Sequence, residues 1–133
     1  MADRPTVVFL CVHNAGRSQM AAGMMRALAG DRVDVYSGGS DPADALNPAV
    51  VEVMAEAGVD ISDQVPSVWT DDMIRSADVV VTMGCGDTCP FYPGRRYVDW
   101  ELEDPSGKGP DEVRPIRDDI RTRVEQLIEE LLD

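Results

Sequence analysis

Two short, almost continuous apolar runs, residues 6–10 (TVVFL) and 77–83 (ADVVVTM), constrain the fold of this chain most. Runs of this kind are typical of strands buried on both faces, as in parallel sheets that helices cover on both sides. Residues 33–37 (VDVYS) alternate like a strand, and residues 97–100 (YVDW) are a candidate for a fourth. The pattern predicts an α/β fold.

Helical segments separate these runs. From Ser18 the sequence has one apolar stripe and a stop at Gly30, with the stripe formed by Ala21, Met24 and Leu28. Asn47 and Pro48 are a typical N-cap and first-turn proline, and Gly58 suits the position after the end of that helix. The apolar face of this second helix is predicted at Val50, Met54 and Ala57.

Two further helices follow. Thr70 is a predicted cap, and the carboxylates of Asp71 and Asp72 suit the positive end of a short helix. Apolar residues of the last helix recur every three or four positions, at Val113, Ile116, Ile120, Val124, Leu127 and Leu131. We therefore expect residues 1–133 to form a single domain, a three-layer sandwich with a central parallel four-stranded sheet.

Charge and composition exclude several classes of protein. The formal net charge of −13 argues against binding to nucleic acid or to an anionic membrane surface. The sequence has no signal-peptide core and no apolar stretch near the ~20 residues that span a bilayer. A cytoplasmic location is expected, where thiols stay reduced. Three cysteines make a purely structural disulfide framework improbable.

The stretch CVHNAGRS, residues 11–18, joins the first strand to the first helix. Ligands of parallel α/β folds bind beyond the carboxyl ends of the strands, where helix N-termini offer N–H groups to anions. We expect this loop to surround a tetrahedral oxyanion, with Arg17 supplying a planar fork for two oxygens. The predicted oxyanion-binding residues are Val12, His13, Asn14, Ala15, Gly16, Arg17 and Ser18.

Cys11 is the candidate nucleophile. A helix N-terminus and a neighbouring guanidinium favour a thiolate, which attacks far better than a thiol. Ser18 is expected to donate its hydroxyl to the sulfur, to cap the helix, or both. Asn14 is expected to fix the loop, and His13 to point its side chain away from the anion. In the alternative interpretation Cys11 is a small buried apolar residue.

Cysteine, five residues, arginine and serine at a first strand–helix turn resembles the low-molecular-weight protein tyrosine phosphatases. The longer run HNAGRSQMA is similar to the arsenate reductases built on that fold, and the resemblance extends over residues 6–131. It implies that Asp104 in WELEDPSGKG is the residue that protonates a leaving oxygen in the phosphatases. That role needs a partly buried carboxyl. Otherwise Asp104 and Pro105 form a turn before the last helix.

The resemblance also assigns the other two cysteines, Cys85 and Cys89 in MGCGDTCP. In these reductases Cys11 would attack arsenate, Cys85 would resolve the adduct, and a Cys85–Cys89 disulfide would pass to an external reductant. Gly84 and Gly86 suit a loop that must move. The reductant would be thioredoxin or, as in actinobacterial members, mycothiol with a mycoredoxin.

The resemblance implies arsenate as substrate, phosphate or sulfate as competing anions, and no cofactor. No metal is expected, because Ala22 stands near the position of a potassium-binding glutamate in the best-known members. A tyrosine phosphatase using Cys11, Arg17 and Asp104 is one alternative, although no aromatic residue follows Asp104-Pro105. A zinc site is another, built from Cys11, Cys85, Cys89 and His13.

Overall fold

The computed structural model describes residues 4–84 and 96–132. Four strands form one parallel sheet in the order β2-β1-β3-β4: β1 (Thr6–Cys11), β2 (Asp34–Gly39), β3 (Val79–Thr82) and β4 (Arg96–Asp99). The helices between and after them are α1 (Arg17–Ala29), α2 (Pro48–Glu56), α3 (Asp71–Arg75) and α4 (Pro110–Leu132). The predicted sandwich around a parallel four-stranded sheet is confirmed.

Both faces of the inner strand β1 are covered, which explains why its residues 7–11 are all apolar. Val7, Phe9 and Cys11 lie in the larger core cluster, together with buried residues of α1, α2 and α4. Val8 and Leu10 point to the opposite face, in a smaller cluster that includes Ile74 of α3. Because consecutive side chains of a strand face opposite sides, a strand covered on both faces loses the usual polar alternation.

The helix termini follow their local chemistry. Asn47 caps α2, with its side-chain oxygen accepting from the N–H of Ala49 at 3.0 Å, and Thr70 caps α3 by accepting from Met73 at 3.1 Å. The first helix begins at Arg17, with Gly16 in the N-cap position and no side chain capping it. The interpretation of Ser18 as the cap of α1 is therefore wrong, because Ser18 already lies inside the helix.

An ion-pair cluster joins α2 to α4. Glu56 accepts two hydrogen bonds of 2.8 Å from Arg114 and lies 3.4 Å from Arg117. The hydrogen bonding by Arg114 is the main cause that lowers the pKa of Glu56. A carboxylate with a lowered pKa stabilises the fold above its ordinary pKa, and this contribution is lost as the pH falls through the lowered value.

The carboxyl ends of all four strands meet at one edge of the sheet, because every strand pair is parallel. The segments that leave this edge are residues 12–16, 40–47, 83–84 and 100–109. Across residues 4–84 and 96–132, no helix has the length and apolar composition that a membrane span requires.

We expect Ile120→Ala to lower the free energy of unfolding by about 2–5 kcal/mol, because Ile120 of α4 is fully buried in the larger core cluster and its loss leaves a cavity. Urea denaturation followed by circular dichroism measures this. The matched control is Gln126→Ala on the exposed side of the same helix, which should change stability by less than about 0.5 kcal/mol. Similar losses in both variants would contradict the assignment of Ile120 to the core.

Candidate active site

The loop between β1 and α1 turns its carbonyl groups outward. The carbonyl of Val12 accepts from the N–H of Asp41 at 2.9 Å, and that of His13 accepts from Ala43 at 3.0 Å. The carbonyl of Ala15 accepts from the N–H of Asn47 at 3.0 Å. The segment that follows β2 therefore fixes the loop by donating hydrogen bonds to the loop's carbonyl groups.

The start of α1 offers donors on the inner side. The first N–H groups of an α-helix have no partner within the helix, and the N-cap residue of α1, Gly16, has no side chain that could cap them. Such uncapped N–H groups together with the helix dipole form an anion-binding site. The backbone of residues 12–18 thus suits a bound oxyanion, and we call these residues the anion cradle.

Asn14 occupies the one left-handed backbone conformation of a non-glycine residue in the described chain, with φ of 50°. Asparagine tolerates this region better than most residues, but it still needs support. Its fully buried side chain accepts from the backbone N–H of Ser67 at 2.9 Å and donates to the hydroxyl of Ser18 at 2.7 Å. These bonds tie the loop to the segment before α3.

The amide orientation of Asn14 decides where the proton of Ser18 points. A backbone N–H only donates, so the atom of Asn14 that faces Ser67 is the oxygen Oδ1. The amide nitrogen Nδ2 must then face Ser18 and donate to its Oγ. The hydroxyl proton of Ser18 remains for the Cys11 Sγ, which lies 2.8 Å from Oγ.

Cys11 is buried at the last position of β1 and receives hydrogen bonds from two sides. Besides the Ser18 hydroxyl, the backbone N–H of Asn14 points to its Sγ at 3.3 Å. A sulfur that accepts from two donors needs no proton of its own, and hydrogen bonds to a charged form stabilise that form. Two hydrogen-bond donors therefore meet at the Cys11 sulfur, beside the start of α1.

Arg17 is buried, and its guanidinium is fixed by the segment that follows β4. Nη1 donates to the carbonyl of Leu102 at 3.4 Å, and Nη2 lies 3.8 Å from a carboxylate oxygen of Asp104. A Cβ atom at Gly84 would lie 2.5 Å from Nη1, so the guanidinium occupies space that only a glycine leaves. Gly84 also has a left-handed backbone, with φ of 82°.

The segment with Asp104 lies directly on the anion loop. A Cβ atom at Gly16 would lie 2.7 Å from Pro105, and the side-chain nitrogen of Asn47 donates to the Pro105 carbonyl at 3.3 Å. The carboxylate of Asp104 accepts from the N–H of Ser106 at 3.0 Å, as in a tight turn. Its side chain is 55% exposed, whereas a general acid with a partly buried carboxyl was predicted.

A cavity of about 370 Å³ opens above the loop. Its described lining is made of small or aliphatic residues around the charged groups, among them Ala43, Leu46, Pro48, Ser106 and Gly107. No phenylalanine, tyrosine or tryptophan belongs to the lining that the described residues provide, although the imidazole of His13 does. These walls suit a small inorganic anion better than an aryl group.

The structure brings four of the six predicted catalytic residues together, namely Cys11, Arg17, Ser18 and Asp104. Cys85 and Cys89 lie outside the described residues. The ring of His13 is held at the carbonyl of Asp41 by Nδ1, 3.0 Å away, while its own carbonyl anchors the loop. Within the described ranges no group of three or more His, Cys, Asp or Glu side chains could hold a metal ion.

Sequence reasoning missed three contributors to this site. Asn47 appears in the sequence only as a helix cap, although it also bonds both the loop and Pro105. Ser67 offers a backbone N–H, which no side-chain pattern indicates. Gly84 suggested loop motion, whereas in the structure it makes room for Arg17.

The chain is similar to a phosphatase family and to several arsenate reductases. The family described as low molecular weight phosphotyrosine protein phosphatase matches residues 6–133. Arsenate reductase 2 of Staphylococcus haemolyticus is 38% identical, over 94% of this chain and 97% of that protein. The thioredoxin-dependent arsenate reductase Cg_ArsC1' of Corynebacterium glutamicum superposes with a TM-score of 0.84 and 45% identity, over 98% of this chain but only 63% of that one.

A further solved structure, described as an arsenate reductase in the phosphate binding state, superposes with a TM-score of 0.83 and 32% identity. The match covers 96% of this chain and 98% of that one.

We expect Gly84→Ala to weaken binding of inorganic phosphate by roughly ten-fold or more, because the new Cβ displaces a guanidinium whose charge-assisted bonds contribute about 1.5–3 kcal/mol each. Isothermal titration calorimetry measures the change. Gly58→Ala is the matched control, since Gly58 has φ of 81° and open space around it. Both variants bear the same backbone strain, so equal phosphate affinity in the two would refute the contact with Arg17.

Proposed function

This chain belongs to the low molecular weight phosphotyrosine protein phosphatase family, and we propose that it reduces arsenate to arsenite through a covalent adduct on Cys11. Its similarity to the arsenate reductases of that family supports the proposal. The observation that carries the proposal is the buried Cys11 sulfur, which accepts two hydrogen bonds beside Arg17 and the uncapped start of α1. A nucleophile and an anion cradle thus share one cavity.

In the first step the Cys11 thiolate attacks the arsenic of bound arsenate. A sulfur–arsenic bond forms, an arsenic–oxygen bond breaks, and the oxygen leaves as water after taking up protons. The guanidinium of Arg17 and the N–H groups at the start of α1 neutralise the oxyanion. The hydroxyl of Ser18, 2.8 Å from Sγ, stabilises the thiolate before the attack.

In the second step the proposal assigns Cys85 as the resolving thiol. Its thiolate attacks the sulfur of Cys11, a disulfide forms, and the sulfur–arsenic bond breaks with its electron pair going to arsenic. Arsenic(V) becomes arsenic(III) and leaves as arsenite. Cys89 then attacks Cys85, which frees Cys11 as a thiolate and leaves a Cys85–Cys89 disulfide for an external dithiol to reduce.

The proposed electron donor is thioredoxin. Similarity to a reductase described as thioredoxin-dependent supports this choice, as does the presence of a second and a third cysteine in the chain. A mycothiol route is the alternative, in which an external thiol resolves the adduct instead of Cys85. Either route needs reduced thiols, which agrees with a cytoplasmic protein.

A tyrosine phosphatase remains the second candidate, because Asp104 stands beside Arg17 in the same cavity. In that reaction its carboxyl would protonate the leaving phenol oxygen. The exposed carboxyl of Asp104 and the absence of Phe, Tyr and Trp from the described lining of the cavity favour the reductase instead.

We expect three single cysteine variants to fail at different stages of the thioredoxin-coupled reaction. Cys11→Ser forms no adduct, and Cys85→Ser stops before arsenite is released. Cys89→Ser releases arsenite once and then retains a Cys11–Cys85 disulfide. Arsenite release, NADPH oxidation and intact-protein mass spectrometry follow these stages. Repeated thioredoxin-linked turnover by Cys89→Ser would contradict the relay.

Two parallel assays separate the alternatives. With mycothiol and mycoredoxin in place of thioredoxin, activity in both Cys85→Ser and Cys89→Ser would replace the relay by the mycothiol route. With an aryl phosphate as substrate, rapid phenol release without arsenate-dependent NADPH oxidation would identify a phosphatase.

We expect phosphate and sulfate to compete with arsenate, and Arg17→Ala to lower kcat/KM by about ten- to a hundred-fold, the equivalent of one charge-assisted hydrogen bond of about 1.5–3 kcal/mol. Arg17→Lys keeps the charge without the fork and should fall between. The control is Arg121→Ala on the exposed face of α4. Unchanged efficiency in Arg17→Ala would exclude the proposed anion cradle.

A further inference from the structure

A line of polar side chains continues the hydrogen bonds of the site away from Cys11. Gln19, almost completely buried in α1, donates from Nε2 to the Asn14 carbonyl at 2.9 Å and to its side-chain oxygen at 3.0 Å. Gln64 donates from Nε2 to the side-chain oxygen of Gln19 at 2.5 Å. Arg26 donates from Nη1 to the side-chain oxygen of Gln64 at 3.1 Å.

The ends of this line fix the direction of every bond in it. The carbonyl of Asn14 only accepts, so the atom of Gln19 facing it is the nitrogen, and its oxygen faces Gln64. The guanidinium of Arg26 only donates, so the oxygen of Gln64 faces Arg26 and its nitrogen faces Gln19. No amide in the line can be flipped without opposing two like groups.

With the bonds already described, the direction is continuous from Arg26 through Gln64, Gln19, Asn14 and Ser18 to the sulfur of Cys11. Each residue accepts from the one before and donates to the next. Hydrogen bonds arranged head to tail polarise one another. The inner members Gln19, Asn14 and Ser18 are buried, where this effect on the last donor is strongest, whereas the bond between Arg26 and Gln64 is exposed.

We propose that Gln19, Gln64 and Arg26 are positioning residues for the reaction, which orient and polarise the Ser18 hydroxyl toward the Cys11 thiolate through this directed line. The inference deepens the proposed function and rests on it for the role of Cys11 as nucleophile. In this proposal Arg26, a cation on the third turn of α1, helps to stabilise the reactive sulfur of Cys11.

Arg26 is well placed to begin such a line. Its second nitrogen, Nη2, is held by the carbonyl of Val35 on the edge strand β2 at 3.0 Å, so the guanidinium has a fixed orientation. Partial burial lowers the pKa of Arg26, and the nearby carboxylate of Asp63 counteracts part of that effect. Arginine remains a cation under these conditions.

The test measures the reactivity of the Cys11 sulfur without arsenate. In a Cys85→Ser/Cys89→Ser background Cys11 is the single cysteine of the chain. The rate of its alkylation by iodoacetamide is followed from mildly acidic to alkaline pH, and the midpoint of the profile reports thiolate formation. Among the described residues, the other titratable groups lining the cavity are His13, Arg17 and Asp104, and none of them is changed.

We expect Arg26→Gln and Gln64→Met each to move the midpoint upward by roughly half to one pH unit, since both interrupt the line before Ser18. Gln64→Met changes no charge, so its shift cannot come from long-range electrostatics. Arg32→Gln is the matched control: it removes the same charge from an exposed arginine whose hydrogen bonds, among the described residues, go to the carbonyls of Ala29 and Leu28. Its midpoint should equal that of the parent protein.

Melting curves distinguish loss of structure from loss of polarisation. Gln64→Met tests the line by itself because it changes no charge, and Gln64→Leu takes its place if Gln64→Met does not fold. Unchanged midpoints in folded Arg26→Gln and Gln64→Met would overturn the proposal. So would a shift in Arg26→Gln alone, which would indicate a through-space effect of the charge. Because no arsenate is present, the result is independent of whether the protein reduces arsenate.

Discussion

The left-handed backbone of Asn14 is the constraint on which the rest of the site depends. It reverses the chain after Cys11, so that the carbonyls of Val12, His13 and Ala15 accept from the segment after β2 while the N–H of Asn14 points to the Cys11 sulfur. The conformation is held by a buried side chain with partners at Ser18, Ser67 and Gln19. If these bonds were lost, the loop would keep its sequence but not the inward direction of its donors.

The fold was predictable because each of its signals is local. A strand buried on both faces is apolar throughout, and the caps Asn47 and Thr70 act within three residues of their own positions. The placement of the loop between β1 and α1 was predictable for the same reason, since Cys11 and Arg17 lie only six positions apart in the sequence. Chemistry encoded within ten consecutive residues can be inferred without knowing what lies across the fold.

The support of the site was not predictable, because it joins residues far apart in sequence. The amide of Gln64 reaches Gln19 across 45 positions, and the N–H of Ser67 reaches Asn14 across 53. Nothing in the local pattern around either residue indicates these contacts. The exposure of Asp104 is equally non-local, since it depends on how its segment settles on Gly16.

The placement of one guanidinium in a strongly acidic protein has a kinetic consequence. At long range an approaching dianion meets a net charge of −13, and only within the cavity does it meet Arg17 and the helix terminus. Salt screens charges that are separated by more than about 10 Å at 0.1 M but affects buried contacts much less. Added inert salt should therefore accelerate capture of the anion, while its escape from the cavity changes little. Association that is steered by opposite charges slows as ionic strength rises, whereas capture of an anion by this acidic chain would become faster.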